Sequence, residues 1–389
     1  MKLRTLQKLP ALLAAAALAL TAAPAAYAAD ISLKIDGASV KPAIAPIIDN
    51  GTTLVPLRFI SENLGAEVSW DQASSKATIK SAGYTVVFAI GSKSYTVNGQ
   101  SKTLLAAPQN VGGSTMVPIR AFAESIGAEV AYSSATHTAS IDYFTTMDGT
   151  LKLTGSTTLQ PIAQAAADKL AAINSGLSIS VAGGGSGTGI NDTIAGTNNL
   201  GMSSRELTAE ESSQISPFAV ASDGIAIITH PSNSVKSLTK AQAADIFLGK
   251  IKNWKDVGGA NAPILVQTRE TGSGTRSTLE EMLLAKESVV ATATPHNSSQ
   301  LIKQAVAKDV NAIGFDSIGF VDSSVSAVSL DGVAASAASV KSGSYAMGRS
   351  LFLLSKSAPT GNAAKFIDYL RTAGCQKDIV EKEGYISID

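Results

Sequence analysis

Residues 260–276, ANAPILVQTRETGSGTR, read as an apolar strand, a glycine loop and the first turn of a helix. That order places the Arg269–Thr275 cluster at the carboxyl end of a strand, where open α/β sheets bind ligands. Two further clusters share its composition: Gly155-Ser156-Thr157-Thr158, and Gly183-Gly184-Gly185-Ser186-Gly187-Thr188-Gly189. Each reads as a tight turn opening a helix. A helix N-terminus carries unpaired N–H groups and a partial positive charge, and glycine lets a ligand approach the backbone closely. Ser and Thr hydroxyls add donors and Arg269 adds a bidentate cation, so the chain reads as built to surround a small oxyanion.

Outward from these turns, short apolar strands at 151–153, 178–181, 225–228 and 264–268 alternate with helices at 161–174 and after 189. This is the βα grammar of a mostly parallel sheet. A nucleotide phosphate loop does not fit, because no lysine follows Gly187 or Gly274. A dinucleotide fingerprint can be laid on 183–189, but alone it is weak. Gly272-Ser273-Gly274 is not a nucleophile elbow, and His137, His230 and His296 supply no evident base for hydrolysis.

A different logic governs the first part of the chain. Residues 51–79 recur 62 positions later as 113–141 with 13 of 29 positions identical, an internal duplication. In each copy a short strand leads through Pro56 or Pro118 into an amphipathic helix, and a Gly-Ala turn returns the chain to strands. Trp70 and Tyr132 are equivalent and are expected in the core. Arg58 and Arg120 are equivalent too, and a structural salt bridge is the favoured role over polymer binding. Before this, residues 1–29 combine Lys2, Arg4 and Lys8, an apolar run over 12–20 and Ala-Tyr-Ala-Ala, the pattern of a cleaved secretory signal. Cleavage near Ala29 removes three cations and no anions, so the net charge falls from 0 to −3 (0 − 3) and nucleic acid is not an expected partner. No cysteine follows the cleavage site, which argues against a classical lipoprotein and for a secreted chain on the outer side of the envelope. The single Cys375 reads as a packed thiol.

The motifs occur as an ordered set: Gly155-Ser156-Thr157-Thr158, Gly184-Gly185-Ser186-Gly187-Thr188, Gly201-Met202-Ser203-Ser204-Arg205, Asp223-Gly224-Ile225-Ala226, Arg269 with Ser273-Gly274-Thr275, Ile313-Gly314-Phe315 and Tyr345-Ala346-Met347. In this set residues 148–389 resemble the periplasmic-type phosphate-binding proteins of phosphate ABC transporters. Residues 30–145, with their VPLR…GA.V.W pattern, resemble the copper amine oxidase N-terminal-like domain, which implies neither copper nor oxidase chemistry. The resemblance implies an α/β, two-lobed type II periplasmic-binding-protein fold preceded by a small duplicated α+β domain. Lobe one would comprise 148–225 and 335–389, and lobe two 226–334. It further implies capture of inorganic phosphate for a membrane permease, with no turnover, cofactor or metal, and cell-wall polymer as the candidate partner of the N-terminal module. By position, Thr157, Thr158, Ser186, Arg269, Ser273, Gly274 and Thr275 would donate to phosphate oxygens, with Ser156, Thr188, Ser204 and Arg205 as further candidates.

Phosphate near neutrality keeps a proton that sulfate lacks, so a buried carboxylate accepting that proton favours phosphate. Where one branch of the family places this aspartate, the chain has Ser204. Asp223 is the expected substitute, with a hinge or cap role as its competitor. Two rival readings remain: a binder of sulfate, molybdate or tungstate, and an envelope-attached sensor or adhesin.

Overall fold

A computed structural model describes residues 31–388; the expected signal segment, 1–29, lies outside them. The sequence duplication is visible in three small sheets. Strands Thr52–Pro56 and Ser114–Pro118, one from each repeat, pair antiparallel about Val55 and Val117, and each leads directly into a seven-residue helix, Leu57–Asn63 or Ile119–Ser125. Proline at the last strand position fixes φ and costs the helix no hydrogen bond. The remaining repeat strands are dealt to different sheets: Glu67–Asp71 and Lys76–Lys80 join a five-stranded sheet, while Glu129–Ser133 and Thr138–Asp142 pair with each other and Thr138–Asp142 with the N-terminal strand Ser32–Ile35. The module is thus β-rich.

Contrary to expectation, Trp70 and Tyr132 are 38% and 43% exposed. Each sits on an edge strand whose residues, apart from Val68 or Val130, face solvent. Their polar tips are held locally, Trp70 Nε1 donating to Gln72 Oε1 at 2.9 Å and Tyr132 Oη lying 3.4 Å from His137 Nδ1. Arg58 and Arg120 pair with Glu62 and Glu124 one turn along the exposed faces of their helices, the structural role expected of them.

From Gly149 onward the chain forms a ten-stranded mixed sheet that curls into two halves. The long strand Ser216–Thr229 serves both. Its first part, 216–224, pairs with Gly348–Ser355, and its second, 225–229, pairs with Ala312–Ser317. One half is completed by strands Gly149–Gly155, Leu177–Gly184 and Leu200–Ser203, the other by Leu265–Arg269, Thr294–His296, Ser326–Leu330 and Ser237–Leu238. Separate apolar clusters underlie the halves, one around Leu153, Ile162 and Leu353, the other around Ile225, Phe247, Trp254 and Phe315. The return to the first lobe comes later than residue 335: Tyr345 and Met347 bury in the second cluster, and pairing with lobe one begins at Gly348. The two crossings therefore lie side by side at 224–225 and 347–348.

The N-terminal module docks on lobe one through a continuous apolar cluster that includes Phe122, Tyr143, Leu170 and Phe366. At its centre the buried Asp368 carboxyl accepts hydrogen bonds from the Ala82 N–H and the Tyr143 hydroxyl, both at 2.8 Å.

Candidate anion-binding site

Four helix N-termini converge where the lobes meet. Lobe one contributes the turn before helix Gln160–Ile173 and the start of helix Ser186–Ala195; lobe two contributes the starts of helices Gly274–Met282 and Ser299–Lys308. Each helix follows a strand of the sheet, so the parallel topology delivers all four positive ends to one place. Close approach is enforced by glycine. A Cβ on Gly274 would lie 2.3 Å from Ser186 Oγ and 2.7 Å from Ser204 Oγ, across the lobe boundary.

Arg269 ends the strand Leu265–Arg269 and is 1% exposed. Its Nε and Nη2 donate to the two carboxylate oxygens of Glu270, both at 2.9 Å, its Nη1 to Ser299 Oγ at 3.1 Å, and its Nη2 also to Thr157 Oγ1 of the opposite lobe at 3.0 Å. Thr158 and Thr275 hydroxyls meet across the same boundary at 3.0 Å, and Ser186 and Ser204 hydroxyls lie 3.2 Å apart. The Gly187 N–H donates to the Gly272 carbonyl at 2.9 Å. The lobes are closed, and Thr157, Thr158, Ser186, Arg269, Ser273, Gly274 and Thr275, the expected donors, are brought together and buried. Hydroxyls paired with one another can each turn an O–H toward a ligand oxygen.

Among the further candidates the structure discriminates. Ser204 belongs to the cluster, its N–H donating to Ser186 Oγ at 3.0 Å. Ser156 is a cap, accepting from the Leu159 N–H at 3.3 Å, and Ser273 likewise accepts from the Arg276 N–H. Thr188 is exposed and back-bonds to the Gly184 carbonyl at 2.7 Å. Arg205 is spent on Glu211, with which it makes two hydrogen bonds of 2.7 and 2.8 Å, and which it holds below the usual carboxylate range.

Asp223 is not a free acceptor. Its Oδ2 takes both Nε and Nη2 of Arg349, at 3.0 and 2.7 Å, and its Oδ1 takes the Ser317 hydroxyl at 2.7 Å. The pair is buried beside the crossing, and with both Asp223 oxygens partnered the expected proton-acceptor role has no free oxygen there. Arg349 in turn donates to Thr275 Oγ1 at 3.0 Å and to the Ser204 carbonyl at 3.1 Å.

Arg349, Ser299, Glu270 and Asp316 were missed by sequence reasoning. Each had a signal beside a motif already noted: Arg349 two residues after Met347, Ser299 in a Ser-Ser helix start, Glu270 next to Arg269, and Asp316 as a charge in the apolar strand Ala312–Ser317. The assembled site holds two arginines, each neutralised by its own carboxylate, within a shell of N–H and O–H donors. No group of three metal-ligating side chains occurs among the described residues. Burial pushes the Cys375 thiol up to about 12, the behaviour of a packed thiol.

Residues 132–373 match the PBP superfamily domain, and residues 34–141 match the copper amine oxidase N-terminal domain. The phosphate-binding protein PstS of Bacillus subtilis is 36% identical over 246 residues, spanning 62% of this chain and 81% of that protein. The chain belongs to the PstS family of the PBP superfamily. Among solved PstS-like structures, a Clostridium perfringens protein assigned as a phosphate ABC transporter substrate-binding protein, with bound phosphate, is 38% identical at a TM-score of 0.59 over 62% of this chain and 100% of its own. A Vibrio cholerae ABC-type phosphate transport receptor is 32% identical at 0.53, over 61% and 100%. In this PstS relative the two-lobed α/β fold is as expected, with the β-rich module placed ahead of it.

Proposed function

We propose that this chain captures inorganic phosphate between its lobes and delivers it to an ABC importer, acting as a binding protein without chemical turnover. One observation carries the reading: four helix N-termini, Arg269 and six Ser/Thr hydroxyls are gathered from both lobes around one buried locus. Phosphate is the ligand named for the PstS relatives and bound in the Clostridium perfringens structure. Its tetrahedral oxygens suit donors that converge from four directions. Thr157, Thr158, Ser186, Ser204, Arg269, Gly274, Thr275 and Ser299 are the proposed contacts, with Ser156 and Ser273 holding the turns that carry them.

Because these groups are shut off from solvent, binding requires the lobes to part and reclose, and the paired crossings at 224–225 and 347–348 are the proposed hinge. We place domain boundaries near 145–148 and lobe two at 226–347. The chain is read as exported by its 1–29 segment, and no helix among the described residues is long and apolar enough to cross a membrane. The N-terminal module is proposed as a rigid extension of lobe one rather than a reader of wall polymer, given the interface built on Asp368.

Replacement of Arg269 tests the reading. Arg269→Ala should weaken phosphate affinity by about 1.5–3 kcal/mol, the scale of charge-assisted hydrogen bonds lost from a buried site. Calorimetry showing wild-type affinity in a folded Arg269→Ala chain would take Arg269 out of the site.

A further inference from the structure

Among the described residues, Asp316 is the one buried carboxylate of the locus without a full set of partners. It closes the strand Ala312–Ser317, which runs parallel to Leu265–Arg269 in a register of Leu265 with Ala312 and Val266 with Ile313. Continued along the strands, that register sets Asp316 beside Arg269. The residue is 1% exposed. Its Oδ1 accepts the Ser317 N–H at 2.8 Å, and its Oδ2 is buried with no hydrogen-bond partner. A bare buried carboxylate oxygen costs several kcal/mol, so such an atom in a ligand site points to a donor brought by the ligand.

Resting on the phosphate reading, we infer that Asp316 is the specificity-determining acceptor: its Oδ2 takes the hydrogen bond of a protonated oxyanion and, while ionised, rejects one that carries no proton. Asp223 cannot do this, because Arg349 and Ser317 occupy its oxygens. The groups facing Asp316 are Arg269 and Arg349, the Ser299 side chain, the Ser317 N–H and the Tyr385 phenol. Desolvation outweighs the two cations and pushes Asp316 up to about 7. The device is therefore responsive to pH near neutrality. Above that value the carboxylate repels sulfate; below it, the carboxylic acid can donate to a sulfate oxygen. His296, which burial and then Arg269 press below its ordinary value, titrates lower.

Sulfate is the informative probe, since its own charge is constant across this range whereas phosphate's is not. Calorimetric titration of the wild-type chain with sulfate from about pH 8.5 to about pH 6.5 should show affinity rising as pH falls toward the Asp316 value. In Asp316→Asn the amide oxygen keeps the Ser317 bond and the NH2 donates into the site. Sulfate affinity should then be independent of pH, and the phosphate-to-sulfate preference should drop by about tenfold or more. A flat wild-type sulfate response, or an unchanged preference in Asp316→Asn, overturns the role of Asp316 while leaving the phosphate reading intact. Absence of phosphate binding by the wild-type chain at any pH overturns both. The wild-type titration stands even if the variant fails to fold.

Discussion

Arg269 and Arg349 show how single residues acquire roles that spacing does not reveal. Both are buried cations, and both are neutralised by a carboxylate, Glu270 or Asp223. The protein thereby places two guanidinium groups in the interior without leaving a bare charge, and the remaining N–H groups donate to hydroxyls and backbone carbonyls around the site. Removing one partner exposes the cost. Asp223→Ala should destabilise the fold by about 3–5 kcal/mol, because Arg349 remains buried and unpaired, and denaturant unfolding would register it as a fall in midpoint. A loss under about 1 kcal/mol would mean that water reaches Arg349. Arg269 was legible in the sequence because it adjoins a Gly-Ser-Gly-Thr turn. Arg349 was not, because its partners Asp223 and Ser204 lie 126 and 145 residues away. Asp316 was visible as a charge in an apolar strand, but what sets it apart, the lack of a partner at Oδ2, is shown by the fold alone.

At the scale of elements, the site depends on helices that begin at the sheet edge and on glycines that let two of them touch. Gly274 is the sharpest case. A methyl there meets Ser186 and Ser204 of the other lobe, an obstruction that exists only when the lobes are shut. Gly274→Ala should therefore lower phosphate affinity by about tenfold or more while leaving the melting temperature of the ligand-free chain unchanged. Scattering profiles should show this variant failing to contract fully on adding phosphate; a wild-type contraction with wild-type affinity would show that the lobes accommodate the methyl. These strand-turn-helix units were readable from sequence since their signals are local: glycine, a cap and an apolar period. The positions of Trp70 and Tyr132 were not, because large aromatics favour burial in general and only the sheet order shows that their strands lie at edges.

The whole molecule is a PstS-type binding unit with a second module fixed to one lobe. The Asp368 carboxyl at that junction is pushed up to about 7 by burial, against the hydrogen bonds it accepts from Ala82 and Tyr143. An acid whose folded value is raised binds more protons folded than unfolded. Its contribution to stability is present below the ordinary value of 3.8 and is lost as pH rises to about 7. Stability of the docked pair should accordingly decline over that window, and Asp368→Asn should flatten the decline in denaturant titrations at successive pH values. An unaltered slope would show that Asp368 is not the group responsible. The boundary between modules was legible from the end of the repeat, but their docking was not, since it rests on contacts such as Tyr143 with Asp368 that span 225 residues. The proposed function is phosphate capture by closure. The most direct measurement is calorimetric titration with inorganic phosphate of the chain freed of bound anion by unfolding and refolding. One phosphate bound tightly per chain, with affinity reduced in Arg269→Ala, is the expected result; absence of heat and of any stabilisation by phosphate would contradict the account.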